Sequence, residues 1–479
     1  MRGAHHFEKA PGNSTLKAGD SKTSASSTRE ETRTVRRADE LIQELPFRWT
    51  VQGVIFVIGG LAYMFDAWDV LLPTYLIPLL ARSGWHLDNA QLGWLGTLGL
   101  IGMGVGAFFW GTMADIVGRK PAFIWTLLIY SISSVLSAAA PNYLLLLAAR
   151  FITGVGLGGC IPVAYSLVAE FMPRSRRGMM LTAMDVWWPI GATLNGLVAV
   201  LLLRFDNWRL LLLVMALPAL LVFWAVPAIP ESPLYLMRRG RVAEARAVTT
   251  DLVRRTTGDA GTWTLPEPEP DTAPPSFVGL IRQLGDLWRW NWRVTLAAWG
   301  IMSANLLLYF GVITWLPRIL ESSGYGIYRA YLFTISVTAI GIVATLCAAW
   351  LVERVGRKWV IIVPGILAGV AVVMFTVQIT NPGAARWWLL SFGFMNELVV
   401  PAVYCYVPEV YPTLLRGTGF GWASTAGRVA AGTVPVIFGA WLWPVFGLTN
   451  TFIVITALVV IANLWLAAVG PETKGRVLE

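Results

Sequence analysis

Eight stretches of this chain contain no charged residue and are long enough to cross a lipid bilayer: 89–114, 121–149, 151–169, 210–230, 294–317, 330–352, 359–385 and 429–471. A span needs about 20 mostly apolar residues at 1.5 Å each. Two of these stretches are long enough to hold a turn as well, at Pro141 and Asn142 and between Gly447 and Asn450. Lipid offers no hydrogen bonds to the backbone, so apolar runs of this length are helices. The resulting expectation is an all-α membrane protein with spans at 50–80, 91–113, 121–140, 143–170, 179–203, 209–229, 293–320, 330–352, 359–380, 386–410, 418–441 and 449–469. Composition agrees: 14% of residues are charged, where a soluble chain carries about 25%. A larger soluble core cannot absorb the difference, because cores split into domains near this length. Many of the 24 Trp fall close to span ends, where aromatic rings suit the bilayer interface.

Lys and Arg give the orientation. With both termini on one side, 29 of the 37 fall on that side and 6 on the other, and Arg150 and Arg428 lie within spans. The excess marks the cytoplasm, so both termini are expected there, in an inner membrane. The net charge of +9 is spread over short loops and forms no continuous patch, which argues against a nucleic-acid partner. Cys160, Cys347 and Cys405 sit in apolar runs without metal spacing and read as buried helix residues. Residues 1–44 lack the apolar centre of a signal peptide. They read as a disordered tail, including His5 and His6, up to a short interfacial lead-in at Leu41 and Ile42.

The two halves of the chain repeat each other. Asp115, Gly118, Arg119 and Lys120 recur as Glu353, Gly356, Arg357 and Lys358, an offset of 238. Glu170, Pro173, Arg177 and Gly178 recur as Glu409, Pro412, Arg416 and Gly417, an offset of 239. Pro230, Glu231 and Ser232 recur as Pro471, Glu472 and Thr473, an offset of 241. Each copy follows the second, fourth or sixth helix of its half. Six helices is an even number, so the halves share one topology and are related by a pseudo-twofold axis along the membrane normal, with a solute site between them. The expected organisation is a tail at 1–48, six-helix bundles at 49–230 and 293–470, a central loop at 231–292 and a short tail at 471–479. Within the loop, a basic helical stretch from Arg238 to Arg255 precedes the Pro- and Glu-rich Pro266–Pro275, a tether without a core of its own.

These residues resemble the major facilitator superfamily over nearly all of 50–476. Gly111 to Lys120 is similar to its hallmark loop, although the second copy has Ala349 where the first has Gly111. Arg150 to Gly158 and Pro230 to Leu236 resemble the sugar porters. Asp66 and Asp69 in the first helix resemble the metabolite:proton symporters, among them carriers of nicotinate and aromatic acids. The resemblance implies proton-coupled symport of a small organic solute by a monomer, without a cofactor. It also implies cytoplasmic latches built from Asp115, Gly118, Arg119, Lys120, Glu170, Arg177, Glu353, Gly356, Arg357, Lys358, Glu409 and Arg416. Arg119 can pair with Glu170 and Arg357 with Glu409. Asp115 can rest on the positive end of the helix starting near Gly417, and Glu353 on that starting near Gly178.

Ionisable groups deep in a bilayer cost about 2.5–3.5 kcal/mol each on insertion scales and are functional by default. Asp66 lies about 22 Å into the first helix from inside, and Arg150 about 10 Å into the fourth from outside. Their depths agree, so an Asp66–Arg150 pair is expected, with Asp69 on the same face. Protonation of Asp66 would then bias the carrier between outward and inward states. Asp185 is a second candidate proton site or a pathway residue. Glu397 and Arg428 lie near the midplane, where Arg428 suits a solute carboxylate, unless the two form a standing bridge. Trp187, Trp188, Tyr309 and Asn305 are candidates for an aromatic and polar wall against a flat ring. Glycines 102, 104, 106, 154, 156 and 158 have phosphate-loop spacing but lie inside spans, where they serve helix packing. No nucleophile with its base, nucleotide loop or metal cluster points to an enzyme. The competing readings are a sugar:proton symporter, a drug exporter and a non-transporting nutrient sensor.

Overall fold

The computed structural model describes residues 36–37, 44–257, 263–264 and 277–474. The expected tail at 1–35, the lead-in at Leu41 and Ile42, and Pro266–Pro275 lie outside them. Twelve membrane helices follow in chain order. The first, Trp49–Ala81, opens with one π-turn. Then come Asn89–Val117, Arg119–Ala139 and Tyr143–Phe171. The fifth is Arg174–Met184 continued by Trp187–Leu202, and the sixth is Trp208–Val214 continued by Leu220–Ala228. The second half has Phe277–Ser322, Ile327–Arg354, Arg357–Val377, Pro382–Val410, Thr413–Ile437 and Trp443–Val469. The β-structure of the described residues is one two-residue parallel pairing, Arg36–Arg37 with Trp263–Thr264.

Local chemistry explains the breaks. Asn291 has extended backbone, and its Oδ1 accepts the Val294 N–H at 3.3 Å. It therefore caps the seventh span and separates it from an amphipathic lead-in. Gly447, at φ 73° and ψ 170°, turns the chain between the last two spans. Two breaks depart from the expectation of continuous helices. The fifth helix opens at Asp185 and Val186 because Pro189 has no N–H for the Asp185 carbonyl, and Trp188 donates to it instead at 3.2 Å. In the sixth, Pro218 leaves the Val214 carbonyl without its helical donor and a 3₁₀ turn follows.

Phe223, Leu144, Phe108 and Trp387 are 72–79% exposed, which only a lipid solvent makes tolerable in such number. Inside the first half, the second and fourth helices touch backbone to backbone. A Cβ on Gly154 would stand 2.1 Å from the Gly99 carbonyl oxygen, and one on Gly102 2.2 Å from that of Phe151. Close packing is therefore what the glycine series provides. The loop helix Val242–Thr257 rests on the same half: Leu252 and Val253 join a core with Leu45 and Val51, and Arg48 Nε donates to the Thr256 carbonyl at 3.2 Å.

The halves meet unequally. Toward the face opposite the termini, one continuous core takes Trp68, Tyr75, Leu92 and Leu95 from the first half and Leu308, Trp315, Tyr331 and Phe438 from the second. Toward the face carrying the termini, each core belongs to one half alone. The molecule is sealed on the far side and parted on the terminal side.

Candidate functional site

Arg150 is 2% exposed, and its partner is Asp69 rather than Asp66. Nη1 donates to Oδ1 at 3.0 Å and Nη2 to Oδ2 at 2.9 Å, a two-pronged bond. Nη2 also reaches the Asp69 carbonyl at 3.3 Å. That carbonyl is free because Pro73, four residues on, has no N–H to give it. The expected Asp66–Arg150 pair is therefore wrong by one helical turn. A turn is about 5.4 Å, less than the error in span ends from which depth was counted.

Asp66 is fully buried, and neither of its oxygens has a hydrogen-bond partner among the described residues. The opposite charge acting on it most strongly is Arg428, from the eleventh helix of the other half. Arg428 is half-buried and forms no ion pair with Glu397 among the described residues. Glu397 instead packs its Cγ against Gly341, where a Cβ would lie 2.8 Å away, and faces the Tyr309 hydroxyl. Trp188 Nε1 donates to Tyr309 Oη across the halves at 3.4 Å. Asn305 gives its amide to the Ile301 carbonyl at 2.7 Å, which leaves Oδ1 unpartnered. Asp185 sits at the break in the fifth helix and accepts the Tyr165 hydroxyl at 2.7 Å.

Sequence reasoning missed several residues of this chamber. Tyr63 lies 5.6 Å from Tyr165 and 5.7 Å from Trp188, ring centre to ring centre. The Tyr404 hydroxyl feels Arg428, Asp185 and Asp66 together. Asn396 is fully buried with both amide atoms unpartnered. Buried polar atoms without partners mark places that water or a ligand fills. Tyr63 and Asp66 are i and i+3 on one helix, a spacing that was legible in principle.

On the terminal face the repeated motifs build the same device twice. Gly118 has φ 105° and ψ 156°, and Gly356 has φ 106° and ψ 155°, a region essentially restricted to glycine. This conformation turns the chain into the third and ninth helices. Glu231 accepts the N–H groups of Arg119 and Lys120 at 3.1 and 3.4 Å. Glu472 does the same for Arg357 and Lys358 at 3.0 and 3.2 Å. Carboxylates at helix N-termini satisfy orphan donors and complement the dipole. Lys120 and Lys358 in turn reach the Val226 and Ala467 carbonyls at 2.6 and 2.8 Å. The repeat of Pro230–Ser232 carried this signal, yet Glu231 and Glu472 were given no role.

Arg119 pairs with Glu170, and Arg357 Nε lies 3.2 Å from Glu409. Arg177 donates to the Met172 carbonyl at 3.4 Å, and Arg416 begins the eleventh helix. Glu353 is 69% exposed and pairs with Arg357 at 2.9 Å instead of resting on the helix near Gly178, because the halves part on this face. The Asp115 side chain lies outside the described residues. The far face carries contacts that no motif announced. Arg82 Nε donates to Glu321 Oε1 at 2.6 Å, the Val436 N–H to Thr97 Oγ1 at 3.2 Å, and the Tyr331 hydroxyl to the Tyr75 carbonyl. A Cβ on Gly93 would stand 2.6 Å from the Pro435 carbonyl oxygen.

Comparison with known proteins adds three findings. Residues 26–479 match the family described as sugar (and other) transporter. The niacin transporter of Acinetobacter baylyi is 33% identical over 445 residues, covering 91% of this chain and 98% of the relative. The gentisate transporter of Corynebacterium glutamicum is 29% identical, covering 83% of each. In fold, the chain is similar to a D-xylose–proton symporter, with a TM-score of 0.70, 21% identity, and 89% and 99% of the two chains covered.

Proposed function

Because the chain belongs to the sugar (and other) transporter family of the major facilitator superfamily, and so is a multi-pass carrier of a small organic solute rather than an enzyme, we propose that it moves a small aromatic carboxylate together with a proton by alternating access. The observation that carries this reading is Asp66: a buried carboxylate with no hydrogen bond of its own, under the field of Arg428 across the gap between the halves. Arg428 is the one midplane cation left for an anionic solute, since Arg150 is fully engaged by Asp69. A solute carboxylate arriving at Arg428 meets the negative charge of Asp66, and like charges at one site drive a proton onto one of them. Proton uptake by Asp66 and solute binding at Arg428 are thereby linked. Trp188 and Tyr309 supply flat faces for a ring, and Asn305 and Glu397 supply polar edges. The relatives named for niacin and gentisate support the solute class, since both compounds are rings bearing a carboxylate.

The carrier is read as a monomer in an inner membrane, with the terminal face in the cytoplasm, supported by the Lys and Arg bias. The conformation described then opens inward, and the latches at Gly118 and Gly356 are those that would close when it faces out.

Counterflow in proteoliposomes with labelled nicotinate, benzoate-type acids and hexoses, with and without an inward proton gradient, tests the proposal. Acid uptake should rise with the gradient and lose that dependence in Asp66→Asn. Hexose uptake alone would move the solute to sugars, and binding without flux would leave a sensor.

A further inference from the structure

Asp185 is more exposed to the chamber than Asp66, and its setting is that of a recognition group. The break at Pro189 holds it out of the helical ladder, and Tyr165 fixes one oxygen at 2.7 Å. That is the one hydrogen bond it accepts among the described residues, and Oδ2 is not among the buried unpartnered atoms. The residue is half-buried, so the free oxygen reaches the chamber. Tyr63, packed against both Tyr165 and Trp188, makes the surface beside it aromatic. Arg428 stands on the other half, and Tyr404 lies within the field of both charges.

We propose that Asp185 and the ring wall of Tyr63, Tyr165 and Trp188 form a second subsite, one that reads a hydrogen-bond donor on the ring edge away from the solute carboxylate. The assignment rests on the aromatic-acid reading above and narrows its solute class. Arg428 takes the carboxylate, the tyrosine and tryptophan faces take the ring, and Asp185 Oδ2 accepts a phenolic O–H or a protonated ring N–H. Aromatic faces next to a carboxylate favour a positively polarised edge. A solute with only C–H at that edge strips water from Asp185 and returns nothing, and sites built to bond a substrate hydroxyl discriminate strongly for that reason. A permanent role in shaping the helix break would treat all solutes alike, and a role as a bare proton site would ignore the ring substituent.

The test is competition against labelled nicotinate in counterflow by benzoate and its three monohydroxylated isomers. In the wild type, at least one hydroxylated isomer should compete about 10-fold better than benzoate, the worth of one bond to a charged acceptor. In Asp185→Ala that ratio should collapse to within about twofold. Tyr165→Phe, which keeps the ring and frees the carboxylate, should lower the ratio part of the way and covers the case in which the alanine variant fails to fold. A ratio preserved in both variants overturns the assignment. So does loss of gradient dependence for every acid with the ratio intact, which would make Asp185 a proton site. Failure of all four acids to compete sinks the aromatic-acid reading itself, and this subsite with it.

Discussion

Asp66 and Asp69 differ by one turn of helix and carry opposite stability predictions. Asp69→Ala strands a guanidinium that is 2% exposed, and breaking a buried pair from one side costs about 3–5 kcal/mol. The thermal midpoint in detergent should fall steeply. Adding Arg150→Met should restore most of it, since an apolar replacement leaves no orphan charge. Asp66→Asn removes a carboxylate that makes no hydrogen bond, so its midpoint should stay near the wild type while coupling is lost. Sequence revealed which residues are ionisable at depth and that two acids and two arginines share the midplane. It did not reveal who pairs with whom, because depth counting resolves no better than a turn. The discriminating sign was Pro73, which frees a carbonyl beside one acid only. The tyrosines at 63, 165 and 404 escaped for another reason: among so many aromatic residues, packing is the ordinary role, and only three-dimensional convergence singles them out.

Helices were the most legible level, and their interruptions the least. Continuous apolar runs gave all twelve, yet Pro189 and Pro218 break their helices while Pro162, Pro364 and Pro401 sit inside unbroken ones. Neighbouring helices decide whether a freed carbonyl is satisfied, and a linear pattern does not contain that information. The capping carboxylates make a sharper case, since Glu231 lies over a hundred residues from the helix it caps. Gly118→Ala should test this junction. The new Cβ would stand 2.5 Å from Glu231 Oε2 in a backbone region reserved for glycine, a strain of about 1–3 kcal/mol. Unfolding in detergent should shift by that amount, and Gly356→Ala, which meets Glu472 at 2.7 Å, should behave alike. A large difference between the two would show that the repeat is geometric but not energetic.

A sequence specifies the whole cycle of a carrier, so no single conformation is written in it. The motifs pointed to closure on the terminal face, whereas the structure is closed on the other. There the approach of the second helix to the eleventh depends on Gly93, and a side chain must push the Pro435 carbonyl away. Gly93→Ala should therefore favour the state open to the far side. A cysteine at Thr97, 1% exposed here, in a variant lacking Cys160, Cys347 and Cys405, should react faster with an impermeant maleimide added from that side. Unchanged labelling would mean that the contact is not part of the gate. The seal itself is held by few polar bonds: Arg82 to Glu321, Tyr331 to Tyr75, Thr193 to Thr338, and Val436 to Thr97. A hydrogen bond nets about 0.5–1.5 kcal/mol, and a partly exposed ion pair about 0–1 kcal/mol. One unit of pH difference supplies about 1.4 kcal/mol per proton, the same size as any one of these bonds. For a carrier driven as proposed, an ordinary cellular gradient is thus comparable to the work of parting the seal. Reinforcing this face with a few more bonds would leave a protein that still binds its solute but that no living membrane could turn over.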